Sequence, residues 1–87
     1  MSMKYTLHIT PAAYRQLKKL ESDVQIMIRH KLDGLCNDPR SDAFDVKKLH
    51  GREGYRLRVG DYRAIYQLDN NKLIVEVIAV GHRREIY

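Results

Sequence analysis

At 87 residues the chain has room for one domain, spanning 1–87, and not for two. Apolar residues make up 44% and charged residues 31%, which excludes a disordered chain, and a single cysteine, Cys36, excludes an internal disulfide. Sixteen Lys and Arg against eleven Asp and Glu leave a net charge of +5, which points to a polyanion or an acidic protein as partner.

The first residues, Met1 to Tyr5, lead straight into folded-looking sequence, with no signal peptide. No apolar run approaches the roughly 20 residues of a membrane span. A cytoplasmic protein with no membrane partner is therefore expected. Tyr5 to Ile9 alternates in polarity and reads as a first strand. Thr10-Pro11 follows as an N-cap residue with Pro at the first helical position. Tyr14, Leu17 and Leu20 make a short apolar stripe on a helix that ends near Glu21. Ser22 to Gln25 has the spacing of a capping box for a second helix. Val24, Ile28, Leu32 and Leu35 recur along it with Met27 beside them, and Asn37-Asp38-Pro39 stops it. Two helices so placed form an antiparallel hairpin.

The rest reads as sheet. Phe44 to Leu49 suggests an irregular strand, and His50 to Gly54 a turn. Tyr55–Val59, Tyr62–Leu68 and Leu73–Val80 follow as an antiparallel meander. Gly60-Asp61 and Asn70-Asn71 suit two-residue hairpin turns, because Gly and Asn tolerate positive φ. The expected fold class is α+β, with an N-terminal strand and a helical hairpin packed on one face of a twisted antiparallel sheet.

Those turns set a register. Arg58 then faces Arg63, Leu57 faces Ala64 and Tyr55 faces Tyr66, while Tyr66 faces Val75 and Ala64 faces Val77. One face collects Tyr55, Leu57, Val59, Tyr62, Ala64, Tyr66, Leu68, Leu73, Val75, Val77 and Ala79, and packs on the helices. The other collects Arg56, Arg58, Arg63, Ile65, Gln67, Ile74, Glu76, Ile78 and Val80.

Chemistry gathers on that second face. Like charges directly across a ladder typically cost about 0.2–1 kcal/mol, so a purely structural sheet has little reason to oppose Arg58 and Arg63. A phosphate between the two guanidiniums turns the repulsion into attraction. The plain alternative is that long arginines splay into solvent. Between Lys47 and Arg63 six cations stand against two acids, which marks the stretch as the contact surface. The apolar part of the face calls for a cover, from the chain or from a partner. Glu76 suits a pair with an arginine. His82, after Gly81, falls beside the arginine face, and its ordinary pKa suits proton transfer. Tyr87 offers a ring to stack on a base or a phenol for proton transfer, or else packs the tail. His50 reads as surface or RNA-facing, and His8 and His30 as structural without partners. No Cys/His spacing matches a zinc site, no Gly-rich loop precedes a helix and no paired carboxylates suggest a two-metal nuclease, so no metal and no cofactor are expected.

Four runs carry a resemblance: Lys47-Lys48-Leu49-His50-Gly51, Tyr55-Arg56-Leu57-Arg58, Tyr62-Arg63-Ala64-Ile65-Tyr66, and Val80-Gly81-His82-Arg83-Arg84-Glu85-Ile86-Tyr87. The chain resembles, over nearly its whole length, the RelE toxins of bacterial and archaeal toxin–antitoxin pairs. The resemblance implies metal-independent cleavage of mRNA in the ribosomal A site, next to 16S rRNA. A ribose 2′-OH attacks the adjacent phosphate and leaves a 2′,3′-cyclic phosphate. It implies a RelB-like antitoxin that wraps a monomeric toxin. By the same resemblance Arg58, Arg63, Arg83 and Tyr87 fall at catalytic positions, with His82 a further candidate from its chemistry. Lys47, Lys48, Arg52 and Arg56 fall to RNA binding. Some family members carry lysines where this chain has Arg56 and Arg58, and arginine makes a poor general base. The runner-up is a ParE-like inhibitor of DNA gyrase that shares the architecture without nuclease activity. An inactive RNA-binding module ranks last, because it lacks an aromatic stacking platform.

Overall fold

The computed structural model describes residues 4–85. Strand β1 (Thr6–Ile9) leads into helix α1 (Pro11–Lys18) and helix α2 (Ser22–Asn37), and four strands follow: β2 (Val46–Lys48), β3 (Tyr55–Val59), β4 (Tyr62–Asp69) and β5 (Ile74–His82). They form one sheet in the order β1-β5-β4-β3-β2. The class is α+β. Four strands are antiparallel as expected, while β1 runs parallel to β5 at the edge, pairing Leu7 with Val75 and Ile9 with Val77.

The helix starts follow from local hydrogen bonding. Thr10 Oγ1 accepts the Ala13 amide, and Pro11 fills the first position, where no backbone donor is needed. The capping box at Ser22 does not form. Glu21 is the N-cap residue and bonds through its carbonyl to the Gln25 amide, without a side-chain cap. The Gln25 side chain instead donates to the Leu20 carbonyl at 2.8 Å, tying the end of α1 to the start of α2. Helix α1 stops at Lys18, short of Glu21.

The core lies between the helices and one sheet face. Leu17, Ile28, Leu32, Leu35 and Cys36 from the helices meet Leu57, Val59, Ala64, Tyr66, Val75, Val77 and Val80 from the strands. Tyr14 is an exception to the expected stripe. It is 49% exposed and Ala13 is buried in its place, because a small residue lets α1 approach β5 closely. Met27 is likewise largely outside.

The β3–β4 register agrees with expectation at every pair from Tyr55↔Tyr66 to Val59↔Tyr62. The β4–β5 register does not. Asp69 Oδ1 accepts the amides of Asn71 and Lys72, which closes a four-residue loop instead of a two-residue turn, and Leu73 takes a left-handed φ of 54°. The pairs become Leu68↔Val75 and Tyr66↔Val77, a slip of two that leaves the faces unchanged. A bulge then follows. Tyr66 faces Val77 but Ile65 faces Ala79, so Ile78 is the extra residue. Beyond it the faces of β5 exchange. Val80 joins the core, 2% exposed, and Ala79 moves to the outer face beside Ile65. Past Ile9, the last β1 partner of β5, the Val80 amide donates to Gln16 Oε1 of α1 at 2.8 Å.

One core group is out of balance. Tyr66 is fully buried and stacks on Tyr55 at 5.5 Å, yet its hydroxyl has no hydrogen-bond partner among the described residues. Burial, and then the neighbouring Tyr55, push its phenol far above the ordinary range. Removing that oxygen removes an uncompensated desolvation. Tyr66→Phe is therefore expected to raise stability by about 1 kcal/mol, read as a higher urea midpoint at unchanged slope.

Candidate nucleic-acid interface

The sheet face away from the helices carries two rows of cations. In the first, Arg58 on β3 faces Arg63 on β4, and Arg63 faces Gly81 on β5. In the second, Lys47 on β2 faces Arg56 on β3, then come Ile65 and Ala79. Each row therefore opposes two positive side chains directly. The Lys47–Arg56 pair escapes sequence reading, because a three-residue strand after an irregular loop offers no turn from which to count register.

Arg63 is the most constrained of these cations. Its Nε and Nη1 are buried and find no hydrogen-bond partner among the described residues. A buried guanidinium donor left unmet costs about 1–3 kcal/mol, more when charged. Arg58 is exposed, and its Nε donates to the Gly60 carbonyl at a long 3.4 Å. Gly60 adopts φ 60° at the first turn position, a conformation glycine takes without strain. An anion seated on the Arg58–Arg63 row would supply the acceptors that Arg63 lacks and cancel the repulsion between the pair.

Beside that row lies a cavity of about 590 Å³ lined by Lys47, Lys48, Leu49, His50, Arg52, Arg56 and Ile65. All four residues expected to bind RNA meet in it, and Arg58 and Arg63 stand outside it, one row along. Its floor is apolar. Ile65 is only 3% exposed although it points away from the helices. The wall is the loop after β2, whose Leu49 amide donates to the Gly54 carbonyl. A side chain at Gly54 would be strained, since φ is 118° and a Cβ there would stand 3.0 Å from the Tyr66 carbonyl oxygen. His50 lines the cavity as well.

The C-terminal group is split. The expectation that His82 lies beside the arginines fails, because the bulge exchanges the faces of β5. His82 pairs with Tyr62 on the helix side, its ring edge-on to the tyrosine at 5.5 Å, and its Nδ1 accepts the Arg84 amide. Arg83 leaves the sheet at the β3–β4 turn, where its amide donates to the Asp61 carbonyl at 2.8 Å and its Nη1 stands 3.8 Å from Asp61 Oδ1. Tyr87 lies outside the described residues. The pairing of Glu76 is also corrected. Its partner is His8 Nδ1 at 3.2 Å, not an arginine, so His8 is not isolated. Among the described residues no cluster of three or more His, Cys, Asp or Glu could hold a metal ion, and no helix is long and apolar enough to cross a membrane.

Comparison with known proteins places this arrangement. The family described as "ParE toxin of type II toxin-antitoxin system, parDE" matches residues 7–87. The chain is 32% identical over 87 residues to the mRNA interferase toxin RelE of Escherichia coli K12, covering 98% of this chain and 92% of that protein. Its fold matches the archaeal RelE–RelB complex from Pyrococcus horikoshii with a TM-score of 0.81 at 28% identity, over 95% of this chain and 99% of that one. Isolated E. coli RelE matches at a TM-score of 0.75 and 32% identity, over 90% of this chain and 83% of that one. With the family profile and a full-length relative in agreement, and the helical hairpin and sheet shared with solved RelE structures, the chain belongs to the RelE family of toxins of type II toxin–antitoxin systems.

Proposed function

We propose that this protein is an endoribonuclease that cleaves mRNA in the ribosomal A site, and that a RelB-like antitoxin neutralises it. The observation that carries this reading is the Arg58–Arg63 pair, in which Arg63 holds two buried donors that find no acceptor among the described residues. A scissile phosphate seated there receives both guanidiniums. The 2′-hydroxyl of the preceding ribose gives its proton to a base as its oxygen bonds to phosphorus, the bond to the 5′-oxygen breaks, and that oxygen departs with a proton supplied by an acid. The arginines stabilise the charge that grows on the phosphoryl oxygens, where fixed donors act most strongly. Arg83 contributes a third guanidinium at the same corner of the sheet. Lys47, Lys48, Arg52 and Arg56 hold the neighbouring strand or 16S rRNA, with the half-buried Leu49 side chain of the cavity available to a base.

Proton transfer falls to His82 or Tyr87, the two groups near this end of the chain with suitable chemistry. The face exchange counts against His82, whose Nδ1 is already engaged by the Arg84 amide. His82→Gln is therefore expected to cost less than about tenfold in rate, against the 10²–10⁴-fold of a general base. The toxin acts in the cytoplasm, where ribosomes are. The wide cationic face also suits an acidic antitoxin, which would cover the same arginines.

Toeprinting in a translation extract beside a gyrase supercoiling assay tests the reading. Cuts in the A-site codon with unimpaired supercoiling are expected. Inhibited supercoiling without cuts would assign the ParE-like activity instead.

A further inference from the structure

The two-residue turn between β3 and β4 holds arginines from two distant parts of the chain. The Gly60 carbonyl accepts Arg58 Nε, two residues back. The Asp61 carbonyl accepts the Arg83 amide at 2.8 Å, and the Asp61 carboxylate faces the Arg83 guanidinium at 3.8 Å. Arg63 begins two residues further on, in the same row as Arg58. A hairpin needs none of these side-chain contacts to close.

Arg83 is the arginine that most needs such a tether. It follows the last residue of β5, and its side chain is about half exposed. A long side chain in that setting samples many rotamers, and only some of them serve a phosphate held by Arg58 and Arg63. The backbone bond to Asp61 sets where residue 83 leaves the sheet. The carboxylate then favours the rotamers that keep the guanidinium at the turn.

We propose that Asp61 is a positioning residue for Arg83, acting through its carboxylate on the guanidinium and through its carbonyl on the backbone. The inference rests on the reading of Arg83 as a phosphate ligand. Asp61 does not touch the reacting atoms. Because both partners are well exposed, the pair adds little to folding and is open to screening by salt.

The test is single-turnover cleavage of ribosome-bound mRNA by the wild type, Asp61→Asn, Asp61→Glu, Arg83→Ala and the double variant Asp61→Asn/Arg83→Ala. Asp61→Asn keeps the turn and the carbonyl bond and removes only the charge. Its rate at saturating toxin is expected to fall about two- to fivefold, with half-saturation within about twofold of wild type and an unchanged melting temperature. Asp61→Glu should recover part of the rate. In the Arg83→Ala background Asp61→Asn should cost nothing further, and the gap between wild type and Asp61→Asn should narrow at high salt. An unchanged rate overturns the inference. So does tighter half-saturation at an unchanged rate, which would make Asp61 a competitor of the phosphate, and so does an equal loss in the Arg83→Ala background. Full activity of Arg83→Ala would instead show that the phosphate reading of Arg83 has failed, and the inference with it.

Discussion

Arg63→Met is expected to lower mRNA cleavage by about 10²–10³-fold while leaving the protein as stable as the wild type or more so. The two effects have one origin. Met keeps the apolar stem that covers the sheet and removes the head group. With it go two buried donors that find no acceptor among the described residues, and the repulsion from Arg58 across the ladder. Folding loses nothing, and in the proposed mechanism the transition state loses a guanidinium that stabilises its developing charge. Arg63→Lys should recover little, because a point charge cannot reproduce the two-pronged geometry of the fork. Arg58→Met should cost less than Arg63→Met, since Arg58 is exposed and partly engaged by the Gly60 carbonyl. Parallel measurement of cleavage rate and urea midpoint checks the set. A destabilised Arg63→Met variant that still cleaves would make Arg63 a structural arginine and remove the seat from the mechanism.

The Arg58–Arg63 pairing was legible in the sequence because one turn determined it. Gly60-Asp61 closes in two residues, so the partners of β3 and β4 can be counted outward without freedom. The next hairpin was not legible in the same way. Asp69 holds the amides of Asn71 and Lys72, and Leu73 rather than an Asn takes the left-handed position. That slip of two preserves which side chains share a face, so it did no harm. The single extra residue at Ile78 did, because a change of one reverses the faces. Alternating polarity gives no warning there, since Ile78, Ala79 and Val80 are all apolar. Other features depend on contacts between elements distant in sequence. The parallel seat of β1, the burial of Ala13 in place of Tyr14, and the Lys47–Arg56 pair all arise in this way. Asp61 reads locally as a turn former, and only the return of the C-terminal segment makes it a neighbour of Arg83.

The bulge can be tested with one charge at two adjacent positions. Val80→Asp puts a carboxylate among Leu17, Ala64 and the rest of the core, where it has no partner. Such a burial is expected to cost about 3–5 kcal/mol, enough to leave a domain of this size largely unfolded. Ala79→Asp puts the same charge on the outer face, in the row of Ile65, Arg56 and Lys47. Its cost should be about 1 kcal/mol, mostly from poor strand propensity, and its main effect should be weaker RNA binding. Circular dichroism melts of the two variants decide between registers, since a ladder without the bulge reverses the order. The same comparison bears on the site. An unbroken ladder from Tyr66↔Val77 would set Val80 beside Arg63. The extra residue puts Gly81 there instead, so on that side the guanidinium is flanked by backbone and not by a branched side chain. A one-residue irregularity thus closes the core with Val80 and, at the next position, leaves room beside Arg63, the arginine proposed to hold the phosphate.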